Sequence, residues 1–253
     1  MDTKNRKEMI LNLLRNYSRF VTVEQLSKQL FVSGATIRRD LRELESSRLI
    51  QRTRGGAILL ESISTEAPVI MRENRNEMQK HIIASIARPY IKDGMTVFMD
   101  SSSTVFILAR NLSGISNLRI ITNNLKIIWL LAERKGITIM CTGGLLDALT
   151  MSFSGLSTLN YIQNLNADAA FLSTQGMILD RGTYESVEAT NQFKRLCLNN
   201  SRNKYLLCDT SKLGNDYLFH TASLSVYDHV ITENRELNQE IHEMAESDRT
   251  SPI

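Results

Sequence analysis

The stretch Phe31-Val32-Ser33-Gly34-Ala35-Thr36-Ile37-Arg38-Arg39-Asp40-Leu41-Arg42-Glu43-Leu44 decides how this chain is read. It has the form of a short turn feeding a basic helix. Ser33 stands where a cap belongs, because a serine hydroxyl accepts an orphan N–H of a helix's first turn. Ile37, Leu41 and Leu44 recur at helical spacing and define one apolar stripe. Stepping about 100° per residue puts Ala35, Arg39, Arg42 and Glu43 opposite that stripe, with Thr36 and Arg38 on its flanks. A narrow buried stripe with guanidinium groups behind it is shaped for a DNA major groove. There arginine donates bidentately to guanine, and small residues near the helix start allow close approach. The plainer alternative is an amphipathic surface helix with a solvated arginine face.

The neighbouring sequence favours the first reading. Thr22-Val23-Glu24-Gln25 is a capping box opening a second short helix with apolar positions Val23, Leu26 and Leu30. Only the region Phe31-Val32-Ser33 separates the two helices, which is helix-turn-helix spacing. A first helix over about residues 4–15 supplies Ile10, Leu13 and Leu14 to pack on the other two. Residues 49–60 look like a strand, a Gly55-Gly56 turn and a strand, a hairpin wing that sets Arg52 and Arg54 near phosphates. The residues expected to meet DNA are therefore Ser33, Ala35, Thr36, Arg38, Arg39, Arg42, Arg52 and Arg54.

The run Val32-Ser33-x-x-Thr36-Ile37-Arg38-Arg39-Asp40-Leu41, followed by Gly55-Gly56-Ala57, closely resembles the DeoR-type bacterial repressors of sugar operons. Two positions depart from that family's pattern. Ser47 stands where glycine is usual and bears on the helix-to-wing turn. Arg54 stands where histidine is usual and should strengthen phosphate contact.

The composition agrees with a small nucleic-acid module joined to a larger globular domain. The chain has 253 residues, 42% hydrophobic and 23% charged. Residues 1–60 carry 12 Lys/Arg against 6 Asp/Glu, a balance of +6, whereas the remainder carries 18 against 21, a balance of −3, so the chain's excess positive charge sits on the first module. Affinity for a polyanion through that module should fall steeply with salt. No apolar run approaches transmembrane length and no signal-peptide core follows the start, so a cytoplasmic protein without membrane association is expected. Cys141, Cys197 and Cys208 are scattered. Cys141 and Cys208 lie in apolar runs, so buried reduced thiols are expected and no disulfide framework. The four histidines show no ligand spacing, so neither a metal nor a cofactor is expected.

From residue 61 the organisation changes. Residues 61–69, with Ser62, Ser64, Thr65 and Pro68, read as an interdomain linker, and a helix over about 72–90 follows. That helix could pair with a partner copy or pack on the next domain, and packing is the reading preferred. Strands are expected at about 96–100, 118–122, 137–142, 167–173, 205–209 and 229–232, with helices between several of them. Short apolar strands alternating with helices imply an α/β domain, a parallel sheet covered on both faces. The expected divisions are 1–60 for the winged helix-turn-helix and 61–79 for the linker and start of the connecting helix. Residues 80–235 form the larger domain, and 236–253 a polar helix with a frayed tail.

In a parallel sheet, ligands bind beyond the carboxyl ends of the strands. Those ends carry Asp100-Ser101-Ser102-Ser103-Thr104, Thr122-Asn123-Asn124, Gly143-Gly144 and Asp209-Thr210-Ser211-Lys212. Hydroxyls at a helix start form a natural phosphate cradle, paired glycines admit close backbone approach, and a lysine brings a positive charge. Taken singly these are a cap, a turn and a solvated lysine. On one edge they make a sugar-phosphate site.

The resemblance extends here. Asp100, Ser103 and Thr104; Thr122 and Asn123; Gly143 and Gly144; Gly176; Gly182; and Asp209, Ser211, Lys212 and Gly214 match the effector domain of the same family. That domain is related in fold to ribose-5-phosphate isomerase. The resemblance implies a phosphorylated sugar or polyol effector, held by Asp100, Ser101, Ser102, Ser103, Thr104, Thr122, Asn123, Gly143, Gly144, Gly176 and Lys212. Ser102 replaces a common glycine, and Ser173-Thr174-Gln175-Gly176-Met177 lacks an acidic residue often found near Gly176. The expected protein is a transcriptional repressor of a carbohydrate-utilisation operon. It should bind double-stranded operator DNA as a homodimer or homotetramer, with induction by the effector. The competing readings are a sugar-phosphate isomerase with a fused DNA module, using Asp100, Glu185 or Glu188 as base, and a DNA-binding protein whose second domain only oligomerises.

Overall fold

The computed structural model describes residues 3–16, 20–47, 49–53, 55–59, 72–73, 75–148 and 150–250. The chain divides into two compact units, residues 1–65 and 66–253. The linker expected at 61–69 and Arg54 lie outside the described residues.

The first unit has helices α1 (Thr3–Asn16), α2 (Val23–Leu30) and α3 (Gly34–Ser46) and strands β1 (Phe20–Thr22), β2 (Ile50–Thr53) and β3 (Gly56–Leu59). Both expected caps form. The Thr22 hydroxyl accepts the Gln25 N–H while the Gln25 side chain accepts the Thr22 N–H, and the Ser33 hydroxyl accepts the Thr36 N–H at 3.2 Å. Ile37, Leu41 and Leu44 of α3 are buried with Leu26 and Leu30 of α2 and with Ile10 and Leu14 of α1. Leu11, rather than the expected Leu13, completes the α1 face. The wing gains a strand: β3 pairs antiparallel with both β1 and β2, so the order is β1-β3-β2. Its turn falls one residue early. Gly55, at φ 98°, takes the left-handed conformation, and the buried Gly56 already pairs with Thr53 and Thr22. Between α2 and α3, Phe31 adopts φ 53° and donates its N–H to Ser27 O, ending α2 with a left-handed cap usually left to glycine or asparagine.

The second unit begins with α4 (Glu77–Ala87), shorter than expected because Asn76 takes a left-handed φ of 54°. Then follow β4 (Thr96–Met99), α5 (Ser103–Arg110), β5 (Leu118–Thr122), α6 (Leu125–Leu131) and β6 (Ile137–Cys141). A hairpin of β7 (Leu145–Asp147) and β8 (Ser152–Ser154) leads to α7 (Leu156–Gln163) and β9 (Ala167–Leu172). The chain closes with β10 (Gly176–Ile178), β11 (Gly182–Glu185), α8 (Glu188–Asn199), β12 (Ser201–Leu207), β13 (Phe219–Ala222), β14 (His229–Ile231) and α9 (Arg235–Thr250).

Among the described residues, β14-β12-β9-β4-β5-β6 form one sheet with every neighbouring pair parallel. Alternation along each strand divides the core. Val97, Met99, Ile120, Ala169, Phe171 and Leu207 face one side with Ile83, Ala84 and Ala87 of α4. Phe98, Ile121, Ala170, Leu172 and Leu206 face the other with Phe193 of α8 and Ile241 of α9. Helix α4 thus packs on its own domain, as preferred from sequence. The expectation of a buried Cys141 is wrong. It ends β6, the sheet's outer strand, where one flank has no neighbour, and its side chain is exposed. Cys197 and Cys208 are buried and free. A second sheet, β10-β11-β13, is antiparallel and lies beyond the carboxyl end of β9.

Candidate functional sites

Helix α3 shows solvent the face that its periodicity assigns to it. Ala35, Arg38, Arg39 and Arg42 are exposed along with Ser33, while Thr36 is half-buried. Four acidic residues of this unit, Glu24, Asp40, Glu43 and Glu45, pair with cations other than Arg38, Arg39 and Arg42. Asp40 is fully buried and takes Arg6 Nε at 2.5 Å and Nη2 at 3.0 Å, a two-pronged bond from α1. Glu43 pairs with Lys7, and Glu24 with Lys28 at 3.0 Å. Glu45 accepts Arg52 Nε at 2.6 Å and the Arg52 N–H at 3.0 Å, and these bonds hold its carboxyl below the usual range. Among the described residues no carboxylate lies on Arg38, Arg39 or Arg42. Three guanidinium groups on one helix face with free donors are suited to base edges and phosphates.

The second site follows from the parallel sheet, which brings all its strand carboxyl ends to one edge. The β4–α5 loop and the first turn of α5 hold Ser101, Ser103 and Thr104, all buried, with Ser102 capping α5 through the Val105 N–H at 3.2 Å. The amides of Ser103 and Thr104 have no acceptor among the described residues. After β5, the Thr122 hydroxyl accepts the Asn124 N–H and Asn124 caps α6. Asn123 donates to Phe153 O, while its buried Oδ1 lacks a partner among the described residues. After β6 come Gly143, at φ 64°, and Gly144, where a Cβ would lie 2.3 Å from Thr158 Oγ1 and 2.5 Å from Ser154 O. Gly176 is constrained differently, since a Cβ there would sit 2.2 Å from Asn215 O.

Asp100 is 1% exposed, and both its oxygens are engaged. Oδ1 accepts the Ser102 N–H and Oδ2 the Ser173 N–H, each at 2.9 Å. Lys194 Nζ lies 3.5 Å from the same Oδ2 and 2.5 Å from Glu185 Oε1. One buried ammonium thus joins two buried carboxylates, linking the ends of β4 and β11 to α8. Glu188, the third carboxylate considered from sequence, is exposed.

A cationic group converges on the same edge. Asp209 accepts Asn76 Nδ2 at 2.7 Å and the Ser211 N–H and hydroxyl. Burial works against its charge, but the Ser211 hydroxyl and Lys212 outweigh it and hold the carboxyl below its usual range. Lys80, only 3% exposed, donates to the backbone carbonyls of Arg72 and Arg75, and Ser103 Oγ donates to Arg72 O at 3.3 Å. Burial pulls the Lys80 ammonium down to about 8; Asp209 opposes this, and Lys212, Arg72 and Arg75 add to it. Lys212 is likewise lowered, first by burial. Sequence reasoning found Lys212 but missed Arg72, Arg75, Lys80 and Lys194. The available signal was the basic spacing of Arg72 and Arg75 just ahead of α4 and Lys80 in its first turn. No group of side chains able to hold a metal occurs among the described residues. No helix there is long and apolar enough to cross a membrane.

Comparison with known proteins matches residues 6–63 to a DeoR-like helix-turn-helix domain and residues 75–234 to a DeoR C terminal sensor domain. The HTH-type transcriptional regulator GolR of Listeria innocua is 33% identical over 91% of this chain and 90% of its own. The glycerol-3-phosphate regulon repressor of Escherichia coli is 33% identical over 92% of each chain. The lactose phosphotransferase system repressor of Lactococcus lactis is 32% identical over 97% of each. Among solved structures, a D-ribose-5-phosphate isomerase in complex with phospho-erythronic acid is 20% identical over 56% of each chain, with a TM-score of 0.41.

Proposed function

The chain belongs to the DeoR family of helix-turn-helix transcriptional regulators, and from that premise we propose that it represses a carbohydrate-utilisation operon under the control of a phosphorylated sugar or polyol. One observation carries the reading: an exposed arginine face on α3, with no carboxylate bonded to its guanidinium groups among the described residues, and a buried cationic group at the strand ends occur in the same chain. The first suits a duplex, and the second suits an anion that also bears hydroxyls. Lys80, Lys212 and the amides at the start of α5 supply positive charge and donors for a phosphate. The unsatisfied Asn123 Oδ1 is an acceptor for a hydroxyl. Asp100 acts by holding the cradle loop, since its oxygens are taken. A homodimer or homotetramer would set two α3 helices on two half-sites.

The test titrates a labelled duplex from the protein's own upstream region, with and without candidate phosphosugars. A regulator needs an effector that binds its two DNA-affinity states unequally. If no candidate changes the affinity, the effector half of the reading fails. Arg39→Ala should lose about 1–3 kcal/mol of preference for the upstream duplex over random DNA. Equal loss on both duplexes would reduce Arg39 to a phosphate contact.

Lys80 adds a pH signature. Its ammonium is filled below about pH 8 and empties above it, whereas a phosphate monoester, with a second pKa of about 6, stays dianionic throughout. Effector affinity should therefore fall as pH rises through about 8, and binding near that pH should take up protons. Calorimetry in two buffers of different ionisation heat measures this. Affinity unchanged from pH 7 to pH 9 would remove Lys80 from the site.

A further inference from the structure

We propose that Glu45 is a positioning residue of the DNA-binding unit, fixing the wing against α3 and aiming Arg52, so that its negative charge strengthens operator recognition. The inference rests on the DNA-binding role proposed above for this unit.

Strand β2 is an outer strand of the β1-β3-β2 sheet. Such strands present N–H groups on their free side that need partners. Arg52 faces Ala57 in the β2–β3 register, yet its N–H goes to Glu45 Oε1 at 3.0 Å. The other oxygen, Oε2, takes Arg52 Nε at 2.6 Å. One carboxylate at the end of α3 therefore holds both the backbone and the guanidinium of a single wing residue. The two lie seven positions apart, one near the end of the helix and the other in the strand. The Nε contact restrains the guanidinium and leaves its terminal nitrogens to other acceptors. Both side chains remain partly exposed, at 37% for Glu45 and 39% for Arg52, so the pair is open to a ligand.

Elementary electrostatics argues the other way. A carboxylate on a DNA-facing surface repels phosphate, and its removal should raise affinity for any duplex. The bonding of Glu45 separates the two expectations. Loss of the carboxylate frees the wing and the Arg52 side chain, and an arginine that must be ordered on binding contributes less. Random DNA, which needs no fixed wing geometry, gains from the removed charge. The ratio of operator to random affinity is the quantity at stake.

The experiment uses the full chain with Glu45→Ala, Glu45→Gln, Arg52→Ala and the double variant Glu45→Ala/Arg52→Ala. Hydrogen exchange of the Arg52 amide is measured without DNA, and affinities for the upstream duplex and an equal-length random duplex with it. The expected result for Glu45→Ala is faster Arg52 exchange and a fall in the operator-to-random ratio on the order of tenfold. Glu45→Gln, which keeps an acceptor, should lose less. Removing Glu45 should cost less in the Arg52→Ala background than in the wild type, because part of its effect runs through the Arg52 side chain while its bond to the Arg52 N–H remains to be lost. Unchanged Arg52 exchange overturns the clamp. A ratio that stays constant or rises in Glu45→Ala overturns its role in recognition. If the wild-type chain prefers neither duplex, the DNA-binding reading fails, and with it that role; the exchange result still decides the clamp.

Discussion

Lys194→Met is expected to destabilise the larger domain by about 3–5 kcal/mol, the cost of stranding buried charge by removing one partner. The substitution leaves Asp100 and Glu185, 1% and 0% exposed, near each other with no ammonium between them. Urea unfolding of the purified protein measures the loss, and the pairing predicts its pattern. Lys194→Met combined with Glu185→Gln should be less damaging than Lys194→Met alone, since it removes one of the stranded charges. A single variant within about 1 kcal/mol of wild type would mean that the group contributes little. The consequence reaches the proposed ligand site, because Asp100 also fixes the Ser102 and Ser173 amides. Variants that remain folded should bind phosphosugars more weakly.

Asp40→Ala should have an effect of similar size in the smaller unit, about 3–5 kcal/mol. The Arg6 guanidinium would be left buried at 5% exposure without its two-oxygen partner. The bond joins α1 to the centre of α3, so its loss loosens the helix that carries Arg38, Arg39 and Arg42. Operator binding should weaken even though a negative charge has been removed from a basic domain. Hydrogen exchange across residues 36–44 is the direct readout. Unchanged protection there would show that apolar packing alone holds α3.

The six parallel strands were legible because each contains a short apolar run, which identifies a strand without any partner in view, although outer β6 is only half-buried and β12 begins with the polar residues 201–204, ahead of the expected start. Helix α3 was legible through its stripe and its cap, both local signals. What escaped depends on distant partners or on position in the sheet. Strands β10, β11 and β13 are only three or four residues long, and β13 is defined by pairing with β11 more than thirty residues away. Asp40 looks like another polar residue of a charged helix until Arg6, thirty-four positions away, is found on it. Lys80 and Lys194 are buried lysines, which composition assigns to the surface. Cys141 misled in the opposite direction, because an apolar strand sequence does not disclose which strand is outermost.

The ammonium of Lys80 lies among the cations around Asp209 and Lys212, and it also grips the carbonyls of Arg72 and Arg75, the first described residues after the wing. In the regulator proposed above, an effector phosphate would meet that ammonium, and its binding would be coupled to DNA binding. Thermodynamic reciprocity then obliges the traffic to run both ways: the factor by which a metabolite loosens the operator is the factor by which the operator loosens the metabolite. On the proposed reading, with the effector as inducer, a cell crowded with target sites would need more of it to free the same share of operators.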